Sequence, residues 1–289
     1  MSNKTVLITG ASSGFGMLAA HKLAKTGYHV IATMRNMEKA ADFKEIVRND
    51  GLDENVTLLH LDVTSADSIH ALKQYLNESG KIDILINNAG FAFGGFGEEI
   101  TVDEYREQFE TNFFGVIAVT QAVLPIMRSQ RSGKIINMSS ISGLIGFPGL
   151  SPYVSSKHAL EGFSESLRLE VKPFGIDVIL IEPGSFSTNI WTSGKRVSPL
   201  SMIEDSPYYE YMTGIEEELE RGREKLGDPM EVIDLIKKIC KKKEETKLRY
   251  TVGKGVWLSL SLKRVLPWRI WESVIIRKLL PKKQKEPEC

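Results

Sequence analysis

Thr5-Val-Leu-Ile-Thr9 runs into Gly10-Ala-Ser-Ser-Gly14-Phe-Gly16, and the chain continues as MLAAHKLAKTG, an apolar helical segment that ends at Gly27. A short apolar run, a glycine turn and then a helical period make the opening of a βαβ unit. The glycines let the backbone turn tightly, and they let a pyrophosphate approach the helix N-terminus, where unpaired N–H groups and the helix dipole favour anions. Glycines that merely serve turns would be the alternative, but strand before and helix after argue against it. The spacing is G-x-x-x-G-x-G, not the commonest dinucleotide fingerprint. Gly10, Ser12, Ser13, Gly14, Phe15 and Gly16 are therefore the first expected cofactor contacts.

Outward from this turn, strand-length apolar runs alternate with helical segments: HVIATM at 29–34, VTLLHL at 56–61, IDILIN at 82–87, KIINM at 134–138 and DVILIE at 177–182. Strands apolar on both faces are buried in parallel sheets, with the helices as crossovers on either side. The expected fold is α/β: a doubly wound, Rossmann-type parallel sheet of about seven strands, with helices on both faces. Asn36 and Ser65 stand at helix starts, and Gly27, Gly51 and Gly80 at helix ends. Long helical elements are expected from Thr101 to about Ser129 and from Tyr153 to Phe174, a further helix from about Asp228 to Lys243, and a last strand near Arg249–Val252. Residues 1–255 read as one dinucleotide-binding catalytic domain, with 185–225 as an aromatic-rich insertion lacking strand period, a substrate lid. Residues 256–289 read as a basic helical tail.

The carboxyl end of the second strand indicates which dinucleotide is bound. An acidic side chain there would hold a ribose 2′-hydroxyl and repel a 2′-phosphate. This chain has Met34 and then Arg35. A missing acid and a guanidinium matched to phosphate favour NADP(H) over NAD(H). Asp62 and Val63 follow the third strand, where an adenine can be contacted. Asn88, Ala89 and Gly90 end the fourth strand with small or amide side chains that permit close cofactor approach.

A second constellation lies in Ser140–Lys157, SISGLIGFPGLSPYVSSK, with Tyr153 and Lys157 one helical turn apart and Ser140 thirteen residues before the tyrosine. A phenol loses its proton near pKa ~10, and an ammonium at i+4 is expected to lower that value. Tyr153 then trades a proton with an alcohol or ketone near neutral pH. A snorkelling surface pair is the bland reading of any Y-x-x-x-K, and the glycine turn upstream argues against it.

Composition limits the alternatives. The 289 residues are 42% hydrophobic and 26% charged, ordinary for a globular chain, and 37 basic residues balance 37 acidic ones, so no global field draws the chain to nucleic acid. Two cysteines, Cys240 and the last residue Cys289, suggest no disulfide framework and fit a reducing, cytoplasmic setting. The five histidines have no metal-ligand spacing with them, and no metal is expected. The N-terminus has no signal-peptide pattern, and neither 111–127 nor 135–156 reads as a membrane span.

TGASSGFG at 9–16, NNAG at 87–90, Asn112, Ser140, YVSSK at 153–157 and Pro183-Gly184 together resemble the short-chain dehydrogenase/reductase family, over about Lys4 to Thr188. The ATMRN segment and the GFG turn are most similar to its hydroxysteroid and retinol dehydrogenase branch. The resemblance implies Tyr153 as general acid in reduction or base in oxidation, and Lys157 as its pKa modulator and a ligand of the nicotinamide ribose; both are counted among the cofactor contacts. It implies that Ser140 holds the substrate oxygen. Asn112 would fix the lysine and a proton-relaying water, a role consistent with an amide in an apolar helix needing partners. Pro183, Gly184 and Thr188 match the segment that meets the nicotinamide carboxamide. A dimer or tetramer through the two long helices is likewise implied.

Phe91, Leu144, Phe147 and the lid's Trp191 suggest an apolar pocket. The expected activity is NADP(H)-dependent interconversion of a lipophilic ketone or aldehyde with its alcohol; a non-catalytic NADP(H)-sensing regulator of the same fold is the rival. Lys263–Lys285 carries eight Lys/Arg against one Glu, with Trp268, Trp271, Ile275 and Leu279 at helical spacing. A helix packed on its own body or a partner subunit is the favoured reading, and peripheral contact with an anionic membrane the other.

Overall fold

The computed structural model describes residues 4–188, 190 and 194–279. Its strands are β1 (Thr5–Ile8), β2 (His29–Met34), β3 (Val56–His60), β4 (Ile84–Asn87), β5 (Ala92–Gly94), β6 (Gly133–Met138), β7 (Ile176–Pro183), β8 (Lys195–Val197) and β9 (Arg249–Val252). Seven of them form one parallel sheet in the order β3-β2-β1-β4-β6-β7-β9. The helices are α1 (Gly14–Ala24), α2 (Ala40–Asn49), α3 (Ala66–Ser79), α4 (Val102–Phe109), α5 (Gly115–Gln130), α6 (Ser151–Val171), α7 (Tyr209–Gly222), α8 (Pro229–Lys241), α9 (Val256–Val265) and α10 (Trp268–Leu279).

Alternating side chains of each strand serve opposite layers. Val6 and Ile8 pack with Ala20 and Leu23 of α1, Phe43 of α2 and Ile236 of α8, while Leu7 packs with Leu72 of α3, Val123 of α5 and Leu167 of α6. Burying each such side chain is worth about 1.5–3 kcal/mol, and the two layers explain why these strands carry no polar face. β3 differs from expectation: it is the sheet edge, so its residues are half-buried and His60 is exposed. Ser65 caps α3 by accepting from Ser68 N, and Asn36 caps a single turn before α2 by accepting from Glu38 N at 2.8 Å.

The segment Val102–Gln130 is long and apolar enough to cross a membrane by composition alone, but Val119, Val123 and Met127 are buried in the core. It is not a uniform helix. α4 and α5 are joined by one π-helical stretch, Glu110–Phe114, and Asn112 lies in the middle of it. Such bulges rotate the register of the helix beyond them and are frequent at functional sites.

The lid corrects the sequence reading in two ways. A strand, β8, stands where no strand period was visible, and it pairs parallel with β5 immediately after the NNAG segment. The aromatic cluster is partly core: Phe96 stacks on Tyr208 at 4.4 Å and meets Tyr211 at 5.3 Å. Trp191 lies outside the described residues, as do the tail beyond Leu279 and Cys289.

Candidate active site

Strand order reverses around β1, whose neighbours are β2 and β4, and in doubly wound sheets ligands bind in the crevice beyond the strand ends at that point. Thr9 and Asn88 stitch the two sides of the crevice. Thr9 Oγ1 accepts from the backbone N of Asn88 and Ala89 at 2.9 and 3.0 Å, and Asn88 Nδ2 donates to the carbonyls of Thr9 and Gly10 at 2.9 and 3.0 Å. Gly10 has φ +66°, and a Cβ there would sit 2.8 Å from Ala89 Cα; one on Gly16 would sit 2.4 Å from the Gly10 carbonyl. Both positions therefore require glycine to keep the turn close to β4 and α1.

The groove above this turn is lined by Gly10, Ser12, Ser13, Gly14 and Phe15, then by Arg35, and on the far wall by Asp62, Val63, Asn88, Ala89, Gly90 and Thr188. Gly16 supports the turn from below. Pro183 is the buried end of β7, and Gly184 N donates to Val252 O at 2.9 Å; neither lines the groove. The Asp62 carboxylate accepts from Thr64 N and Oγ1 at 3.0 and 2.8 Å, which fixes the loop at the adenine end.

Reading the sequence missed Asn36, Lys39, Glu107 and Arg196, which also line this groove. Lys39 was accessible to reasoning as a second cation one turn beyond Arg35. Arg196 was not, because β8 brings it there: its guanidinium lies 4.8 Å above the Phe91 ring and pairs with Glu107. Phe91, expected as a substrate contact, thus stands in the groove wall under a lid arginine. Leu144 and Phe147 are half-buried on the segment after Ser140, and the Leu144 carbonyl accepts from Lys263 Nζ of α9.

Ser140, Tyr153 and Lys157 are all at least nine-tenths buried. The first residue of the turn Ile141–Gly143 follows Ser140, whose Oγ accepts from Ser142 N at 3.1 Å and is hydrogen-bonded to the Tyr153 hydroxyl. Its neighbour Ser139 points elsewhere and donates to Glu161 at 2.6 Å, which separates the two serines. Lys157 Nζ donates to Met138 O at 2.7 Å and lies 5.7 Å from the centre of the Tyr153 ring. Asn112 accepts from Phe91 N at 3.1 Å and donates to Phe91 O at 3.0 Å and to Ser156 Oγ at 3.4 Å. It clamps the strand-end backbone, with Lys157 held by Met138 instead. His158 is exposed and its Nδ1 contacts Val154 O at 2.9 Å, a local helix contact.

The electrostatics differ from the expectation that Lys157 would lower the Tyr153 pKa. Burial pushes the Tyr153 phenol up to about 12, with the Ser140 hydrogen bond opposing, and burial pushes Lys157 down to about 8, opposed by the charge of Glu161. Desolvation disfavours phenolate and ammonium alike. Tyr153 is consequently held as a neutral proton donor, hydrogen-bonded to a serine; neither it nor Lys157, both expected as cofactor contacts, lines the groove, and Asn112 links their helix to Phe91 of the groove wall through Ser156.

The family model for short chain dehydrogenase matches residues 4–196. An uncharacterized oxidoreductase YusZ of Bacillus subtilis is 48% identical over 279 residues, covering 96% of this chain and 99% of that one. A 3-ketodihydrosphingosine reductase of Bacteroides thetaiotaomicron is 45% identical over 202 residues, 70% of each chain. The solved structure of ElxO with NADP bound superposes with a TM-score of 0.73 at 26% identity, covering 89% of this chain and 99% of that one. The glycine cradle at Gly10 and Gly16 and the Arg35 side chain at the groove fit NADP(H). With its parallel sheet, its glycine turn and its buried Ser140–Tyr153 pair, the chain belongs to the short-chain dehydrogenase/reductase family of enzymes.

Proposed function

We propose that this enzyme interconverts a lipophilic ketone or aldehyde with its alcohol, working as a reductase. The observation that carries the reading is the neutral, buried Tyr153 hydroxyl hydrogen-bonded to Ser140. Bound NADPH supplies the hydride. Ser140 orients the carbonyl oxygen, Tyr153 delivers the proton to it, and the buried Lys157 ammonium stabilises the phenolate left behind. Asn112 holds the Phe91 backbone that borders the site, so its role is to position the wall. In the reverse direction the same groups run in the opposite order.

Half-buried Phe91, Leu144 and Phe147 offer an apolar lining with few polar anchors, which suits a lipophilic substrate. The 3-ketodihydrosphingosine reductase among the relatives acts, by its name, on such a ketone, and the ATMRN and GFG segments keep the hydroxysteroid and retinol dehydrogenase branch as part of the same reading. NADPH oxidation with a panel of long-chain ketones, steroids and retinoid aldehydes tests it. Turnover that needs a carbonyl and rises with its apolar length is expected; oxidation without any carbonyl, or activity only on small polar carbonyls, overturns it. A non-catalytic regulator would show neither.

The C-terminal helices add a surface. α10 packs on α9 and on helix α7, but among the described residues own-body packing buries only Val256 and Trp271 of their large apolar side chains. Trp257, Val265 and Trp268 remain 74%, 79% and 64% exposed, beside Lys263, Arg264, Arg269 and Arg277. Exposed indoles among cations match the headgroup region of an anionic bilayer, and such contact would deliver a lipophilic substrate to the lid. Replacing Trp257 and Trp268 with serine is expected to lower co-sedimentation with anionic vesicles about tenfold. Equal sedimentation, or equal binding to neutral vesicles, argues against this docking. Exposed Val102, Phe114 and Leu169 on α4, the α4–α5 junction and α6 support dimerisation through the long helices.

A further inference from the structure

Next to the turn that carries Ser140, the fold buries two carboxyls that the proposed reaction does not use. Glu161 follows Lys157 by one turn of α6 and is 5% exposed; it accepts from Ser139 Oγ at 2.6 Å and from Arg249 Nε at 3.0 Å. Glu182, on β7, is 0% exposed. Its Oε1 stands 3.5 Å from the same Arg249 Nε without hydrogen-bond geometry, and its carboxyl lies against that of Glu161. Arg249, on β9, also pairs with the exposed Glu165 at 2.8 Å. One guanidinium therefore faces three carboxyls, two of them buried.

An ionised carboxylate in that position, lacking a donor, costs several kcal/mol. A protonated one supplies its own donor. Burial, reinforced by the charge of Glu161 and opposed by Arg249, pushes the Glu182 carboxyl up to about 7. The cluster is also tight against the active site. A Cβ on Gly143 would lie 3.0 Å from both Glu161 Cγ and Ser139 Oγ and 3.1 Å from the Lys157 carbonyl, so Glu161 braces the turn that carries Ser140.

From this geometry we propose that Glu161 and Glu182 form an acid pair with one proton, on Glu182, and one negative charge, on Glu161, and that Glu161 is a positioning residue that keeps buried Lys157 an ammonium. The role of Lys157 in this proposal rests on the reaction proposed above. Among the described residues, the charged groups facing the pair are Lys157, Glu161 and Glu165 from α6, Glu182 from β7 and Arg249 from β9; the turn after β6 contributes only the Ser139 hydroxyl. The Glu161 charge favours the ammonium form of Lys157, so losing it lets the lysine deprotonate at lower pH.

Two measurements test the pair separately. Exposed glutamates titrate near pKa ~4.3, so at about pH 6 an infrared carboxylic-acid band can come only from a shifted acid. In cofactor-free protein carrying isotope-labelled glutamate, that band is expected to show the label shift, to vanish as pH rises through about 7 and to be missing in Glu182→Gln. Its absence from the wild type overturns the pair without needing any variant to fold. For the positioning role, Glu161→Gln is expected to move the alkaline limb of the kcat profile down by about one pH unit. A loss of kcat by the same factor at every pH, with the limb unmoved, makes Glu161 merely structural and overturns that role. A wild type that turns over no carbonyl refutes the proposed function, and the infrared result still decides the acid pair.

Discussion

Tyr153→Phe is expected to lower kcat by about 10²–10⁴-fold, the usual value of a positioned proton donor. The substitution removes one oxygen from a residue that is 3% exposed and leaves the ring in place. The group that disappears is the hydroxyl bonded to Ser140, the proton donor of the proposed reaction. Lys157 keeps its bond to Met138 O and the groove keeps its lining, so NADPH affinity measured by fluorescence titration should change less than about threefold, an exposed-pair-sized effect. A variant with wild-type kcat would overturn the assignment of Tyr153. A variant that loses kcat and NADPH binding together would mean that the site has collapsed, which a thermal melt would register.

Arg35→Asp is expected to raise the KM for NADPH by about 10–100-fold, since a hydrogen bond to a charged group is worth about 1.5–3 kcal/mol. The new carboxylate also repels a 2′-phosphate and offers an acceptor to a 2′-hydroxyl, so the KM for NADH should fall. Arg35 and Lys39 are both exposed at the mouth of the groove. Their contribution is therefore screened by salt, and the preference of the wild type for NADPH should narrow as ionic strength rises. Lys39 remains in the variant, which limits the change to the lower part of that range. Steady-state kinetics with both cofactors reads the ratio directly; an unaltered ratio removes Arg35 from the phosphate site.

Local patterns carried most of this protein. The strand-turn-helix opening, the apolar runs of β2, β4, β6 and β7, and the caps at Asn36 and Ser65 are statements about backbone conformation and burial that neighbouring residues decide. The same holds for Gly10 and Arg35, which occupy fixed places at strand ends. The spacing from Ser140 to Lys157 was enough to put the three proposed catalytic side chains close together, because a turn and a helix start have little freedom between them.

Other features depended on residues far apart in the chain. Arg196 reaches the groove only because β8 pairs with β5, a contact between segments about a hundred residues apart whose short strands leave no period to read. The π-helical stretch at Asn112 has no signature in composition, and the exposure of Trp257 and Trp268 depends on how α9 and α10 pack on the rest of the fold. The pKa values of Tyr153 and Lys157 moved opposite to the pairwise expectation for the same reason: spacing on a helix gives the distance between two charges, whereas their solvation is set by every element packed around them. The sequence alone thus determined the fold, the glycine turn of the nucleotide groove and the juxtaposition of Ser140 with Tyr153, all encoded locally. Tertiary structure alone decided the protonation of Tyr153 and Lys157, the placement of Arg196 at the groove and the burial of Glu161 and Glu182 beside Arg249, because desolvation and long-range pairing exist only once the chain has folded.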